Sequence, residues 1–271
     1  MSNTRLAIIG AGNMAEAIAR GVLSRGVMQP GQIVAADVSP ERREVFASQL
    51  KVRAVERNAD AARDADVILL CVKPQTMSAA LQDLRGVLRE NALIISIAAG
   101  ISIRYIEQAL RGGRRWRIIR SMPNTPMLVG EGMVAMARGA NATDDDVAAA
   151  RQLFESAAAV IELPEAQIDA VTALSGSGPA YFFYLVEQMI AAGEKLGLSA
   201  EHAHTLATRT ALGAAQMLVA TSDSPQELRR KVTSPGGTTQ AAIEHMERTG
   251  VGGNIAEAIL AAACRSRDLG Q

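Results

Sequence analysis

The feature that most constrains the fold of this chain is an apolar segment that runs directly into a glycine-rich turn. Residues 5–10 are RLAIIG, and Gly10, Gly12 and the small Ala15 complete the pattern G-x-G-x-x-A. In a strand–turn–helix unit, the first glycine permits a tight turn, the second lets a pyrophosphate approach the backbone, and a small third residue lets the helix pack against the sheet. The pattern therefore predicts a strand over 5–10, a helix over 13–25 and a bound dinucleotide.

Two residues that follow the second glycine are predicted to lie against the phosphates of that dinucleotide. Asn13 and Met14 open the predicted helix, where backbone N–H groups lack partners and the helix dipole is positive. For Asn13, capping of the helix is the alternative role.

The rest of the first half alternates between apolar segments and helical segments, which is typical of a sheet with helices between its strands. The apolar segments are near-continuous, as in parallel sheets covered on both faces. Further strands are predicted at 33–37, 66–72, 92–98, 117–122 and 132–139. Further helices are predicted after Ser39 and Pro40, near 76–88, near 102–111 and over 144–158. This half is predicted to be an α/β domain of the Rossmann type, a doubly wound parallel sheet, over residues 1–162.

Beyond Pro164 the pattern becomes helical, and it contains no convincing strand. Helices are predicted at 165–174, 179–196, 199–221, 225–232, 239–248 and 253–268. An all-α domain over 163–271 is therefore expected to follow the α/β domain. Several of its alanine-rich helices are apolar around much of their circumference and must be buried, which predicts contact with another subunit.

The end of the second predicted strand carries residues that could select the dinucleotide. Asp37 lies where a carboxylate binds a ribose 2′-hydroxyl in such folds. Ser39, Arg42 and Arg43 follow and could instead hold a 2′-phosphate, although the arginines could equally form a solvated helix face. The choice between NADH and NADPH therefore stays open at this point.

Two other strand ends are interrupted by proline. Val72, Lys73 and Pro74 end one strand, and Met122, Pro123 and Asn124 end another. Because ligands bind at the carboxyl ends of strands in doubly wound sheets, we predict that both segments contact the cofactor. Asn124 or nearby backbone groups could hold the carboxamide of a nicotinamide. Ordinary proline-terminated strand ends are the alternative.

A late polar turn immediately before a helix suggests an anion site. Its small and hydroxylated residues are Ser234, Gly236, Gly237, Thr238 and Thr239. Glycine lets backbone donors converge, and the helix N-terminus that follows favours negative charge. A plain turn with a helix cap is the alternative interpretation.

Composition and charge exclude several classes of protein. Lys and Arg number 28 and Asp and Glu number 28, so a nucleic-acid partner is not indicated. Two cysteines and three histidines that do not cluster predict neither a disulfide nor a metal site. No apolar segment approaches the roughly 20 residues of a membrane span, and the N-terminus lacks a signal-peptide core. We expect a cytoplasmic protein without a membrane partner.

These motifs together resemble pyrroline-5-carboxylate reductase along essentially the whole chain. The matching stretches are IGAGNMAEAI, CVKPQ, SIAAGIS, RSMPNTP, DAVTALSGSGPAY and ELRRKVTSPGGTTQAAI. The last two are highly specific for that family, whereas the first is shared by many dehydrogenases. The resemblance implies reduction of 1-pyrroline-5-carboxylate to proline with NADPH, or with NADH as the alternative. It also implies a helical dimerisation domain and a homo-oligomer, either a dimer or a ring of dimers.

The resemblance also implies roles for individual residues. The hydroxyls of Ser234 and Thr239 and the amides of Gly237 and Thr238 are expected to hold the substrate carboxylate. Thr172 matches a position near the imine nitrogen, where it could orient a water or pass a proton. A helix-interior threonine that bonds the preceding turn is the alternative. The following run SGSGP, residues 175–179, is interpreted as a tight junction between helices.

Two other functions are weighed against this one. A hydroxy-acid dehydrogenase of similar architecture would resemble its relatives in having a Lys early on the long helix after the junction, but the lysine there, Lys195, lies at the far end. A non-catalytic dinucleotide sensor is the second alternative. The chain departs from the family at Asp37 and Val38, where many members have a small polar residue and Arg, and this departure weakens the inference that NADPH is preferred.

Overall fold

The computed structural model describes residues 4–110 and 113–269. The chain divides into two compact units. The first comprises residues up to Ser177 together with those from Ala262 onward, and the second comprises Gly178–Ala261. Residue 111, the last of the helix predicted over 102–111, and the ends of the predicted domains at 1–3 and 270–271 lie outside the described residues.

The described residues of the first unit contain an eight-stranded sheet. Its strands are Leu6–Ile9 (β1), Ile33–Ala36 (β2), Arg53–Val55 (β3), Val67–Leu70 (β4), Leu93–Ser96 (β5), Arg117–Pro123 (β6), Gly132–Arg138 (β7) and Ala158–Glu162 (β8). Their order is β3-β2-β1-β4-β5-β6-β7-β8. The pairs from β3 to β6 are parallel, β7 is antiparallel to β6, and β8 is parallel to β7. The strand order reverses between β1 and β4, which is the switch point where such sheets bind ligands.

Helices cover both faces of this sheet. They are Asn13–Ser24 (α1), Pro40–Glu44 (α2), Asn58–Ala62 (α3), Met77–Leu84 (α4), Ile103–Leu110 (α5), Asp144–Phe154 (α6) and Ile168–Val171 (α7). One buried cluster joins Ile8 of β1 to residues of α1 and α6, and a second joins Ile9 to residues of α3, α4 and α5. Because neighbouring residues of β1 face opposite cores, its apolar run is continuous, as the sequence predicts for a doubly covered strand.

Helices are the regular secondary structure in the described residues of the second unit. Its helices are Gly178–Lys195 (α8), Ala200–Ala220 (α9), Pro225–Lys231 (α10), Thr238–Arg248 (α11) and the greater part of Val251–Leu269 (α12). Helices α8 and α9 cross closely at Gly193. A Cβ on this glycine would lie only 3.1 Å from the Cβ of Ala203. The hydroxyls of Ser199 and Ser224 cap α9 and α10 by accepting backbone N–H groups in the first turn.

Large apolar side chains remain exposed on the second unit of the single chain. They include Phe182, Phe183, Tyr184, Leu185, Met189, Leu206, Leu212, Met217, Leu218, Val219, Ile255 and Leu260. Exposure on this scale is typical of a surface that another protein covers. None of the helices in the described part of the chain combines the length and apolar character that crossing a bilayer requires.

The fold class is confirmed, whereas several elements differ from the prediction. The sheet is not wholly parallel, since β7 runs against β6. The helix predicted over 144–158 ends at Phe154, and the residues after it form β8 at the sheet edge. Strand β3 and the single-turn helix α3 were not predicted. The helix predicted over 165–174 is divided into a 3₁₀ turn, α7 and a π-helical turn.

The position of the domain boundary between residues 162 and 163 stays a prediction. Strand β8 ends at Glu162, and the described residues from Glu165 to Gly176 are helical. The first compact unit nevertheless continues to Ser177. The helical turns over 165–176 therefore belong, by packing, to the unit that contains the sheet.

Candidate active site

The turn after β1 lies against the end of β4. Gly10 has a φ of +92°, a region that only glycine adopts without strain. A Cβ at Gly10 would also lie 3.0 Å from the carbonyl carbon and oxygen of Cys71 and from Cγ1 of Val72. The sequence predicts Gly10 from the turn alone, and the structure adds this close approach of two strand ends as a second reason.

Gly12 and the first turn of α1 form a cradle for an anionic group. Gly12 is the N-cap residue, with an ordinary φ of −71°, and a Cβ there would meet no atom within 4 Å. The first helical hydrogen bond in α1 runs from the Glu16 N–H to the Gly12 carbonyl at 3.0 Å. Among the described residues, the N–H groups of Asn13 and Met14 therefore have no acceptor. An open glycine beside unpaired amides suits a pyrophosphate, so the chain's residues fit the dinucleotide that the motif implies.

Asp37 lies beside this turn, as its spacing predicts, but its carboxylate accepts backbone hydrogen bonds. Its Oδ2 accepts from the Ala11 N–H at 2.7 Å, and its Oδ1 accepts from the Ser39 N–H at 2.9 Å. The Ser39 hydroxyl donates to Glu41 Oε2 at 2.6 Å. Val38, which follows Asp37, is 82% exposed.

The two arginines of α2 have different partners. Arg42 donates from Nε to the Ala11 carbonyl at 2.6 Å and from Nη2 to Glu16 at 2.7 Å. Arg43 donates from Nη1 to the carbonyls of Asp37 and Val38. Partial burial by itself raises the pKa of Glu16, but the hydrogen bonds from Arg42 and Arg20 outweigh it and hold that pKa below its usual value. Both arginine side chains therefore bond other groups of the chain, rather than only lying in solvent on the face of α2.

The segment after β4 turns away from the strand at its proline. Lys73 is the N-cap of a 3₁₀ turn over Pro74–Thr76, and its carbonyl accepts a hydrogen bond from the Thr76 hydroxyl at 3.0 Å. Burial raises the pKa of the Cys71 thiol well above its usual range, which favours the thiol over the nucleophilic thiolate. Contact of Val72, Lys73 and Pro74 with a cofactor stays a prediction.

The end of β6 is fastened to its neighbours by Asn124. The Asn124 Oδ1 accepts from the Met133 N–H at 2.8 Å, and Nδ2 donates to the Ser175 carbonyl at 3.2 Å. The Cε of Met122 lies 2.6 Å from the place that a Cβ on Gly176 would occupy. The predicted contact of Met122, Pro123 and Asn124 with a nicotinamide stays open, but the Asn124 amide already holds two backbone groups.

Thr172 begins the π-helical turn that Asn124 contacts. The residue is buried, and its hydroxyl donates to the Ile168 carbonyl at 2.8 Å. This bond is the one that the alternative interpretation of Thr172 expects, and it leaves only the oxygen lone pairs for a ligand. A catalytic role for Thr172 stays a prediction. While its hydroxyl donates to Ile168, Thr172 can only accept a hydrogen bond from a ligand.

A buried arginine that no sequence motif marked is paired with the helical turns that precede Thr172. Arg120, in the middle of β6, reaches Glu165 at 3.2 Å and Asp169 at 3.6 Å. Asp169 also accepts from the Ser266 hydroxyl at 2.8 Å. A charged residue in the apolar run RIIRSM is the signal that could have identified this network, because a buried guanidinium requires carboxylate partners.

The late glycine turn, in the second unit, has the predicted composition of an anion site. Gly237 is the N-cap of α11, and Gly236 has a φ of +72°. The resemblance implies that the Gly237 N–H binds the substrate carboxylate. In the structure, this N–H instead donates to the Ser234 carbonyl at 3.0 Å and is not free. In the described part of the chain, the amides and hydroxyls of Thr238 and Thr239 and the Ser234 hydroxyl have no hydrogen-bond partner.

The cations that precede this turn are all paired. Arg229 reaches Glu247 at 3.4 Å, Arg230 reaches Glu227 at 2.6 Å, and Lys231 reaches Asp223 at 2.7 Å. These three side chains are therefore already engaged, whereas the turn itself offers neutral donors and the positive end of the helix dipole. Of the described residues, no three His, Cys, Asp or Glu side chains are grouped so that they could hold a metal ion.

Known proteins are similar to this chain along its whole length. Residues 165–269 match the family model described as pyrroline-5-carboxylate reductase dimerisation, and residues 5–100 match one described as NADP oxidoreductase, coenzyme F420-dependent. Pyrroline-5-carboxylate reductase from Pseudomonas aeruginosa is 46% identical over 100% of this chain and 98% of its own length. The enzyme of that name from Methanosarcina acetivorans is 38% identical over 100% of both chains.

Solved structures agree with the sequence comparison. The pyrroline-5-carboxylate reductase of Coxiella burnetii is 35% identical, with a TM-score of 0.91 over 100% of both chains. Pyrroline carboxylate reductase from Plasmodium falciparum, solved with NADP bound, is 29% identical, with a TM-score of 0.90 over 100% of both chains. Similarity of this extent along the full sequence shows that the chain belongs to the pyrroline-5-carboxylate reductase family.

Proposed function

We propose that the chain catalyses the reduction of 1-pyrroline-5-carboxylate to L-proline, the last step of proline biosynthesis, with NADPH as the reductant. Family membership supports the reaction. The observation that carries it is the turn before α11, where the helix N-terminus presents unpaired amides and hydroxyls while the three cations just before the turn already have carboxylate partners. Such a site suits the single carboxylate of a small imino acid.

The carboxylate is held by the groups that the structure leaves unpaired. The amides of Thr238 and Thr239 point out of the first turn of α11, and the hydroxyls of Ser234 and Thr239 can each donate one hydrogen bond. The positive end of the α11 dipole adds a favourable interaction of about 0.3–1 kcal/mol. Gly237 contributes by its size, since a Cβ there would lie 2.5 Å from Ser234 Oγ.

The remaining chemistry requires positioning more than it requires reactive side chains. The reduced nicotinamide, when bound, supplies the hydride that converts the protonated C=N group into the secondary amine. A protonated imine is already a strong electrophile, so the protein needs no nucleophile and no metal. Thr172 can accept a hydrogen bond from the imine N–H or from a water, because its own hydrogen is bonded to Ile168.

The cofactor is proposed to be NADPH, with NADH as the alternative. The relative from Plasmodium falciparum was solved with NADP, and the matched family model is described as an NADP oxidoreductase. In this chain Gly12 and the unpaired amides of Asn13 and Met14 would hold the pyrophosphate that both dinucleotides share.

The second unit is proposed to form a homodimer. Phe182, Phe183, Tyr184 and Leu185 are consecutive on α8, and each is at least half exposed. Successive helical residues lie about 100° apart, so these four cover the whole circumference, and a flat partner surface could bury only some of them. Interlocked helices of a second copy would bury them all, and a ring of such dimers is the larger assembly that the resemblance implies.

The enzyme is proposed to act in the cytoplasm. Cys71 and Cys264 are both free thiols, as in proteins of a reducing compartment.

A substrate screen with both nicotinamide cofactors tests the proposal. We expect the near-ultraviolet absorbance of NADPH to fall when 1-pyrroline-5-carboxylate is added, with L-proline as the product. Oxidation with a keto acid instead would indicate a hydroxy-acid dehydrogenase, although Lys195 is the last residue of α8 and far along the helix from its start. Cofactor binding without oxidation of any imine would indicate a sensor.

A further inference from the structure

Ala11, the residue between the two glycines of the phosphate turn, is held through both of its backbone polar groups. Its N–H donates to Asp37 Oδ2 at 2.7 Å, and its carbonyl accepts from Arg42 Nε at 2.6 Å. Both side chains come from the segment after β2. The two bonds involve an ionised partner each, and such bonds are roughly twice as strong as neutral ones.

Both partners of Ala11 are themselves fixed. The second Asp37 oxygen accepts from the Ser39 N–H at 2.9 Å. The Arg42 guanidinium also bonds Glu16 at 2.7 Å, and Glu16 bonds Arg20 at 2.8 Å. Asp37 and Arg42 are therefore parts of one connected network around the turn, in which each Asp37 oxygen accepts a backbone N–H and Arg42 donates from Nε and Nη2.

We propose that Asp37 and Arg42 are positioning residues that order the phosphate turn before the cofactor binds, rather than residues that choose between NADH and NADPH. This inference rests on the proposed function. By fixing Ala11, the two side chains hold the adjoining Gly12, Asn13 and Met14 amides in place, so less entropy is lost when a pyrophosphate binds. The two cofactors share their pyrophosphate and differ only at the ribose 2′ position, so this contribution is equal for both.

Binding measurements on the full chain separate positioning from selection. We would titrate wild type, Asp37→Ala and Arg42→Met with NADPH and with NADH, using nicotinamide fluorescence and no substrate. Each variant is expected to raise both Kd values about tenfold, with their ratio changed by less than about twofold. In the cofactor-free protein, the Ala11 amide is expected to exchange its hydrogen faster in Asp37→Ala than in wild type.

Arg20→Met is the matched control. It also removes an arginine from Glu16, but Arg20 does not bond Ala11. Both Kd values should stay within about twofold of wild type, because the network retains Arg42 on the turn. An Arg20→Met effect as large as that of Arg42→Met would show that the charge around Glu16, and not the bond to Ala11, sets affinity, and would overturn the proposal.

A change in selectivity would also overturn it. If Asp37→Ala weakens NADH binding while strengthening NADPH binding, Asp37 is a ribose ligand. If Arg42→Met weakens NADPH binding alone, Arg42 is a 2′-phosphate ligand. Should Asp37→Ala fail to fold, Asp37→Asn, which keeps one acceptor oxygen, replaces it. The same ratio of the NADPH Kd to the NADH Kd is then measured. If the wild-type chain binds neither cofactor, the proposed function is refuted as well. If wild type binds both cofactors and the variants change the ratio of the NADPH and NADH Kd values, only the positioning role is refuted.

Discussion

Asn124 Nδ2 and the carbonyl oxygen of Ser175 lie 3.2 Å apart and form a hydrogen bond that joins the end of β6 to the π-helical turn over Thr172–Gly176. The other end of the same amide accepts the Met133 N–H at 2.8 Å. One side chain therefore fixes the position of the turn that begins with Thr172. π-Helical turns are frequent at functional sites, which gives this connection a consequence for activity.

Asn124→Asp is predicted to lower kcat/KM for the imine about tenfold while the free energy of unfolding falls by about 1 kcal/mol. The carboxylate keeps the acceptor for Met133 but replaces the donor to Ser175 with a repelling oxygen. Steady-state kinetics and urea denaturation measure the two quantities. Asn141→Asp is the control, because the Asn141 side chain also donates to a backbone carbonyl, that of Trp116 just before β6. Equal losses of kcat/KM in both variants would argue against a role for the Ser175 bond.

Gly10→Ala and Gly12→Ala are predicted to separate folding from cofactor binding. Gly10→Ala should cost about 1–2 kcal/mol of stability from its positive φ alone, with a further cost from the 3.0 Å approach to Cys71. Gly12→Ala should leave stability unchanged, because the added methyl meets no atom of the chain within 4 Å. It should nevertheless weaken NADPH binding by about tenfold, equivalent to about 1.4 kcal/mol, because the methyl occupies the proposed phosphate cradle.

Thermal unfolding and NADPH titration of the two variants check this prediction. Wild-type affinity in Gly12→Ala would mean that the pyrophosphate does not approach this glycine. A loss of stability in Gly12→Ala as large as that in Gly10→Ala would mean that both glycines are required by the fold alone.

The buried strands were predictable from sequence, whereas the edges of the sheet were not. Strand β1 is an apolar run followed by a glycine turn, and both signals are local. Strand β3 has three residues that are exposed or partly buried, so no apolar run marks it. Strand β8 begins with alanines that favour helix, and it forms only because it pairs with β7. Tertiary pairing there overrides local propensity.

The composition of the candidate sites was also predictable, but the partners of individual groups were not. Spacing along the chain brings Asp37 to the phosphate turn, yet its bond to Ala11 depends on how that turn folds back on β2. Similarly, the Gly237 amide was expected to be free and instead bonds Ser234 within the turn. Such hydrogen bonds are set by distances of tenths of an ångström, which residue types alone do not specify.

Ser234→Ala is predicted to raise KM for 1-pyrroline-5-carboxylate about tenfold, with the Kd for NADPH unchanged. The variant removes a hydroxyl that is unpaired in the chain, so the fold loses no bond. Thr249→Val is the control, since it removes a hydroxyl at the opposite end of α11, where Thr249 bonds the His245 carbonyl. Gly237→Val should abolish substrate use and keep cofactor binding, because its side chain would collide with Ser234 Oγ.

The kinetics of these three variants would show whether the turn is the carboxylate site. A wild-type KM in Ser234→Ala, or a raised KM in Thr249→Val alone, would remove the turn from the substrate site. Loss of both substrate use and cofactor binding in Gly237→Val would indicate misfolding.

Arg120 and Arg138, on adjacent antiparallel strands, offer a matched test of what burial adds to an arginine with two carboxylate partners. Arg120 reaches Glu165 and Asp169 with its side chain only 7% exposed, whereas Arg138 reaches Asp144 and Glu162 with its side chain 40% exposed. Arg120→Met is predicted to lower the free energy of unfolding by about 2 kcal/mol, less than the 3–5 kcal/mol of a fully buried pair because its partners are about one-third exposed. Arg138→Met should lower it much less, since exposed pairs are screened by solvent. Urea denaturation of both variants gives the comparison, and an equal or larger loss in Arg138→Met would show that burial of Arg120 does not make its network the stronger one.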